Sequence, residues 1–298
     1  MQKEIVSNPL REFIKSKRPT LGESSVTTYH SILKNLHKKV FDGDMDFEQF
    51  NQAEQILEHL KDLPPNKRKT ILSALVVVTD NQLFRDVMLT DIKDYTATIA
   101  TQEKSEAQEN NWIESTEIKT LWELLKKDAT LIYKKSTLDS NDLQTIQRFI
   151  ILSLLGGIFI APRRALDFCD FKILGSTKTE GNYLDKNELV FRTYKTAATY
   201  GEQRVTIPTP LKTILNKWIK HNPTPYLLFD SNMNKLTSTK LGQRLNLIFG
   251  GRNIGVNSLR HAYLTGKYAE HTETKKAVAQ DMKDMGSSPA MLETYVKL

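Results

Sequence analysis

A single cysteine, Cys169, leaves this 298-residue chain without a partner for an internal disulfide. The opening segment, MQKEIVSNPLREF, lacks the apolar run and small-residue cleavage site of a secretory signal. Both absences fit a reducing, intracellular compartment. Long hydrophobic runs are missing too. The most apolar stretch, Phe149 to Ala161, is too short to span a bilayer and runs into Arg163 and Arg164, so it reads as a buried helix followed by a turn, with no membrane implied. There is neither the apolar depletion of a disordered chain nor an internal repeat. What remains is an ordinary globular composition, 39% hydrophobic and 26% charged, at a length that favours two domains over one.

The net charge of +7 is unevenly spread. Residues 1–105 hold 15 Lys and Arg against 15 Asp and Glu, so 27 against 20 fall in residues 106–298. A basic excess attracts polyanions by counterion release and carries no sequence preference.

Ser24 to Val40 has Tyr29, Ile32, Leu33, Leu36 and Val40 at helical spacing after a Ser24 or Ser25 cap, with Lys34, Lys38 and Lys39 towards the polar side. Asp46 to Leu63 reads as an acidic helix. Pro64-Pro65 opens a third helix carrying Lys67, Arg68 and Lys69, and a fourth spans about Asp86 to Ala97. The neutral sum therefore hides a polarised bundle, one face of which could meet DNA. Thr96 to Asn111 is polar and lacks an apolar stripe, which marks a linker and a domain boundary near residue 105.

Beyond the boundary, helices are expected at about Glu114 to Asp128 and Asp142 to Leu155, followed by Gly156-Gly157 and the arginine pair. Asn187 to Thr196 alternates as a strand, with Leu189, Phe191, Thr193 and Lys195 on one face, and pairs with Glu202 to Pro208 across a turn at Ala197 to Gly201. Helices follow at Pro210 to Lys220, Thr237 to Phe249, Ser258 to Glu270, Thr274 to Met285 and from Pro289 onward. The fold class is thus mainly α with a small antiparallel β-sheet.

Four segments carry chemistry. Pro162-Arg163-Arg164-Ala165-Leu166-Asp167-Phe168-Cys169-Asp170-Phe171-Lys172 places a basic pair after a buried helix and before a short strand, where Asp167 can pair with either arginine. Asn257-Ser258-Leu259-Arg260-His261 puts Arg260 in the first turn of a helix capped by Asn257 or Ser258, beside free N–H groups and the positive dipole end. Tyr194-Lys195-Thr196 sits near the hairpin tip. In Met285-Gly286-Ser287-Ser288-Pro289, Gly286 ends one helix and Ser288-Pro289 begins the next, with Tyr295 on its second turn.

In this order and at these spacings the segments resemble the tyrosine recombinase (phage integrase) family, across essentially the whole chain. Arg-Ala-Leu-Asp-Phe resembles the first-arginine box and selects Arg164 over Arg163, with Asp167 at the acidic position. Leu259-Arg260-His261 resembles the second-arginine box, Lys195 the hairpin lysine, and Met-Gly-Ser-Ser the family's Leu-Gly-His-Ser before the tyrosine. Asn257 and Ser287 stand where the family has histidine, or histidine or tryptophan, and the Ser287-to-Tyr295 spacing is one residue short. The adjacent Pro-Arg-Arg and these substitutions look most like divergent integrases of viruses or eukaryotic mobile elements.

The resemblance implies a helical core-binding domain over 1–105 and an α+β catalytic domain over 106–298, closing on double-stranded DNA as a C-shaped clamp. It implies Tyr295 as nucleophile, Arg164 and Arg260 on the scissile phosphate, Lys195 as general acid and His261 as a weaker acid/base candidate. Asn257 and Ser287 fill the histidine positions. Lys34, Lys38, Lys39, Lys67, Arg68, Lys69 and Arg163 are expected to hold DNA, while His37, His59, His221 and His271 are surface or packing residues. No cofactor is needed. Partners would be duplex DNA and a homotetramer on paired sites, with a monomer or dimer when free, acting in nucleus, cytoplasm or viral factory. Tyr263 and Tyr268 are the next candidates for nucleophile. Two alternative readings are a type IB topoisomerase and a catalytically weakened DNA-binding relative.

Overall fold

The computed structural model describes residues 8–173 and 180–285. The chain divides into two compact units between Lys104 and Ser105.

The first unit is helical. Asn8 caps α1 (Pro9–Lys17) by accepting from the Arg11 N–H, Pro9 takes the first helical position, and Leu10 and Ile14 face inward. The sequence pattern predicts no helix here. α2 (Glu23–Val40) buries Val26, Leu33 and Leu36. The expected acidic helix at 46–63 is two pieces, a 3-10 turn at Phe47–Asn51 capped by Asp46 and α3 (Ala53–Leu60), meeting at Gln52 with φ −75° and ψ 70°. The break lets Phe50, Ala53, Ile56 and Leu60 all enter the core. Pro64 and Pro65 open α4 (Pro65–Thr79), which ends at Asp80 in the left-handed region, and Asn81 caps α5 (Gln82–Ala100). The core joins Ile14, Leu33, Phe50, Ile56, Leu72, Leu75 and Phe84, each such buried side chain contributing about 2 kcal/mol.

The second unit starts in the segment read as a linker. α5 runs on to Ala100, and α6 (Glu106–Asn110) forms behind a reciprocal Ser105–Gln108 capping box, so the stretch without helix is 101–105. α7 (Ser115–Ile132) follows, then α8 (Ser140–Leu155), buried over nearly its whole circumference and therefore the centre of the unit. After it come α9 (Ala165–Cys169), β1 (Tyr183–Asp185), β2 (Glu188–Phe191), α10 (Ala197–Tyr200), β3 (Gln203–Thr206), α11 (Thr209–His221), α12 (Ser238–Ile248) and α13 (Val256–Asp284).

The strands form one antiparallel sheet in the order β1-β2-β3, with Tyr183 opposite Val190 and Val190 opposite Arg204. The expected alternating strand from Asn187 to Thr196 stops at Phe191. Leu189, Val190 and Phe191 are all buried, and Thr193 and Lys195 lie beyond the ladder. The expected turn at Ala197–Gly201 is a short helix, and the strand expected after Asp170 is reduced to single bridges from Lys172 to Tyr183 and Tyr226. Phe168, Phe171 and Phe191 cluster with ring centroids 5.4 to 5.5 Å apart, fixing α9 against the sheet. The two expected helices at 258–270 and 274–285 are the single α13. Among the described residues, no helix is long and apolar enough to cross a membrane. Ser287, Tyr295 and the helix expected from Pro289 onward lie outside the described residues.

Candidate active site

The two arginines of the Pro-Arg-Arg turn have different fates. Arg163 donates from Nε to Asp167 at 3.0 Å and from an Nη to Gln203 of β3 at 2.7 Å, and its guanidinium lies 3.8 Å from the Phe191 ring centroid and 4.9 Å from that of Tyr194. Its side chain is 17% exposed and that of Asp167 4%. A guanidinium so occupied ties α9, β3 and the end of β2 together within the protein. Arg164 sits at the cap position of α9 on extended backbone, half-buried; its carbonyl accepts the Asp167 N–H at 3.1 Å, and among the described residues no hydrogen bond or ion pair engages its side chain.

Lys195 is exposed two residues after a backbone anchor. The buried Asn182 donates to the Asp167 carbonyl at 2.8 Å and the Thr193 carbonyl at 2.9 Å, and its own oxygen accepts the Arg192 and Thr193 N–H groups. One amide thus bolts α9 to the chain that leaves β2. Beyond it Tyr194 donates its hydroxyl to the Gly201 carbonyl at 2.7 Å, closing the loop that carries Lys195. Sequence reading missed Asn182, because nothing local distinguishes an asparagine ahead of a strand from any turn asparagine.

Arg260 is placed differently from expectation. α13 begins at Val256, with the Ser258 N–H on the Gly255 carbonyl at 2.9 Å and the Ser258 hydroxyl accepting the Gly255 N–H at 3.4 Å. Gly255 is therefore the cap, neither Asn257 nor Ser258, and Arg260 stands in the second turn, one turn beyond the free N–H groups. Leu259 and Ala262 anchor this turn in the core. Asn257 is exposed and its side-chain oxygen accepts from Arg260 at 3.4 Å, which orients the guanidinium without neutralising it. His261 is exposed, its ring 6.4 Å from Trp112.

The 156–164 turn is pressed onto α13. Gly157 has φ +72°, and a Cβ there would come within 2.6 Å of the Tyr263 ring, so only glycine fits both the backbone and the approach. Arg163 and Asn182 tie the same turn region to the hairpin, so the segments bearing Arg164, Lys195 and Arg260 are linked around one loop. Arg163, Arg192, Arg204 and Arg252 each hold a carboxylate, and Arg244 is held by Gln144, Gln147 and the Phe229 carbonyl. Burial lowers the Arg244 pKa to about 10. In the second unit Arg148, Arg164 and Arg260 have neither a carboxylate nor a set of buried amide partners of this kind among the described residues. Guanidiniums in that state suit an outside anion.

In the first unit Lys34, Lys38, Lys39 and Lys67 are exposed. Arg68 donates from Nε and one Nη to Asp91, at 2.9 and 2.6 Å, and from the other Nη to the Lys61 carbonyl, and the Asp91 carboxylate raises its pKa. Asp91 is fully buried, so this pair is internal architecture. Lys69 lies 3.5 Å from the Tyr95 ring centroid. His37 is buried against Gln49 at 2.7 Å, His59 borders an apolar cavity of about 380 Å³, His221 contacts the Lys217 carbonyl, and His271 is exposed.

No protein-family model matches the chain, and no curated protein matches it. Solved structures do. A XerA recombinase is 11% identical over 86% of this chain and 82% of its own, with a TM-score of 0.35. A lambda integrase dimer bound to a COC′ core site is 13% identical over 86% of this chain and 69% of its own, at 0.46. A XerH site-specific recombinase bound to a palindromic difH substrate is 14% identical over 88% and 84%, at 0.35.

Proposed function

We propose that the chain is a site-specific DNA recombinase or integrase that cuts and rejoins strands through a 3′-phosphotyrosyl intermediate. The observation that carries the reading is the contrast on the Pro-Arg-Arg turn: Arg163 is saturated by Asp167 and Gln203, while Arg164, at the motif's first-arginine position, keeps an unneutralised charge, as Arg260 does. Two planar, permanent cations match the non-bridging oxygens of a phosphodiester and stabilise the charge that builds on them during displacement.

In this reading the Tyr295 oxygen forms a bond to phosphorus as the bond to the 5′-oxygen breaks. Lys195 gives the leaving oxygen its proton, and the tyrosine proton passes to solvent or to His261. The phosphotyrosyl ester conserves the bond, and a 5′-hydroxyl of another strand reverses the step. Lys34, Lys38, Lys39, Lys67 and Lys69 of the first unit would hold phosphates, and base edges would supply sequence choice. The partners are duplex DNA and further copies of the chain, four on paired sites, in an intracellular setting. No cofactor enters the chemistry. Incubation of the full chain with a nicked suicide duplex from candidate recombination sites tests the reading: a covalent protein–DNA band on a denaturing gel supports it, and relaxation of arbitrary supercoiled plasmid without a site requirement contradicts the recombinase assignment.

A further inference from the structure

Arg163 looks in sequence like a spare DNA contact, yet its side chain is heavily engaged within the protein. It takes part in four interactions with three elements: Asp167 in α9, Gln203 in β3, the Phe191 ring at the end of β2, and the Tyr194 ring next to Lys195. Two ends of Tyr194 are thereby fixed. Its ring is held by the Arg163 cation at one end, and its hydroxyl is held by the Gly201 carbonyl at the other. Lys195 follows directly and has no partner of its own among the described residues. The Asn182 amide fixes the backbone up to Thr193, and beyond it the contacts that hold Tyr194, and with it the approach to Lys195, are those of the Arg163 cation and the Gly201 carbonyl. Arg163 is also the chain neighbour of Arg164.

We infer that Arg163 is a positioning residue that registers the Lys195 loop against Arg164, so that proton donor and phosphate-binding cation address the same phosphate. The inference rests on the recombinase reading above. A planar fork is what the geometry asks for: one edge meets Asp167, another Gln203, and the face meets the aromatic rings. A lysine has donors but no planar face, so it cannot stack on the rings while bonding to Asp167 and Gln203 at its edges. A loop displaced by about an ångström is enough to slow a proton transfer tenfold to a hundredfold.

Leaving-group chemistry isolates this role. In a duplex whose scissile 5′-oxygen is replaced by sulfur, the bond that breaks is P–S, and the thiolate departs without a proton because a thiol ionises near pH 8.5. A defect in general acid placement should therefore disappear on the sulfur substrate, while a defect in folding, DNA binding or phosphate stabilisation should persist. The variants are Arg163→Lys and Gln203→Ala in the full chain. The second leaves the buried Arg163–Asp167 pair intact and so keeps the test valid if the first does not fold.

The expected result is a loss of about tenfold or more in single-turnover adduct formation on the oxygen duplex for both variants, with rates near that of the unaltered chain on the sulfur duplex and unchanged Kd. Equal fractional losses on the two duplexes, or no loss on either, would overturn the inference. Lys195→Ala runs alongside: if sulfur fails to rescue it, the assignment of Lys195 as acid falls. Rescue of Lys195→Ala without rescue of the Arg163 and Gln203 variants sinks the positioning role alone.

Discussion

Arg163 and Asp167, one helical turn apart, meet at 3.0 Å, and their pairing decides which arginine of the Pro-Arg-Arg turn has charge to offer. Arg163 precedes the cap of α9 and reaches forward to a carboxylate that is almost fully buried within the helix, and its guanidinium caps the aromatic cluster beneath it. Arg164, one residue on, keeps its charge for a ligand.

Arg164→Ala and Arg260→Ala each lower adduct formation by about a hundredfold or more, because their interactions strengthen as charge develops on the phosphate. Duplex affinity falls by no more than about tenfold, the worth of a single phosphate interaction. Single-turnover gels and a binding titration in the same buffer separate the two effects. Equal losses in rate and affinity would make both arginines simple anchors. Asn257→Ala, which removes the acceptor that orients Arg260 at 3.4 Å, lowers the rate by a smaller factor and leaves affinity unchanged.

In the first unit, exposed lysines and buried charge should respond differently. Replacing Lys34, Lys38 and Lys39 together by Gln reduces the slope of log affinity against log salt by about 0.9 for each phosphate that is no longer neutralised. Asp91→Ala leaves that slope alone but strands the Arg68 cation, destabilising the fold by about 3 kcal/mol in denaturant titration. A salt slope unmoved by the lysine replacements would argue that this face does not meet DNA.

Cys169 reports on the scaffold that holds Arg164. Burial, and then the Asp167 and Asp170 carboxylates, push its thiol up to about 11, against about 8.5 in an unfolded chain. The unfolded state therefore ionises first. The stability this group contributes is complete below pH 8.5 and declines as pH rises towards 11. Iodoacetamide at pH 8 should label Cys169 slowly in the native protein and rapidly in denaturant. Fast native labelling would mean that α9 opens readily.

The aromatic and apolar spacing of α2 and the Pro64-Pro65 start of α4 were legible because periodicity and a proline at the first helical position are local signals, whereas the Ser24 or Ser25 cap was not: α2 begins at Glu23 behind Gly22, with no side-chain cap. Nor were other features legible. The helix pair expected around residue 272 is one helix, and within it Thr272 and Thr274, poor helix formers alone, return their hydroxyls to the carbonyls of Tyr268 and Glu270 four residues back. The strand that ends at Phe191 looked longer because Thr193 and Lys195 continue its alternation, while the Asn182 amide that diverts the chain comes from ten residues upstream. Motif order is what proposes Arg164, Lys195 and Arg260 for the site. The saturation of Arg163 and Arg68 could not be read from it, since each depends on partners brought in by the fold, Gln203 and Asp91.

The central claim is that Tyr295 attacks a DNA phosphate. Trapping the full chain on a nicked suicide duplex, digesting the adduct and sequencing the nucleotide-bearing peptide by mass spectrometry tests it most directly. The account predicts a single modified peptide with the nucleotide on Tyr295, and no adduct from Tyr295→Phe despite duplex binding within about twofold of the unaltered chain. A nucleotide on Tyr263 or Tyr268, or an adduct that survives Tyr295→Phe, would contradict it.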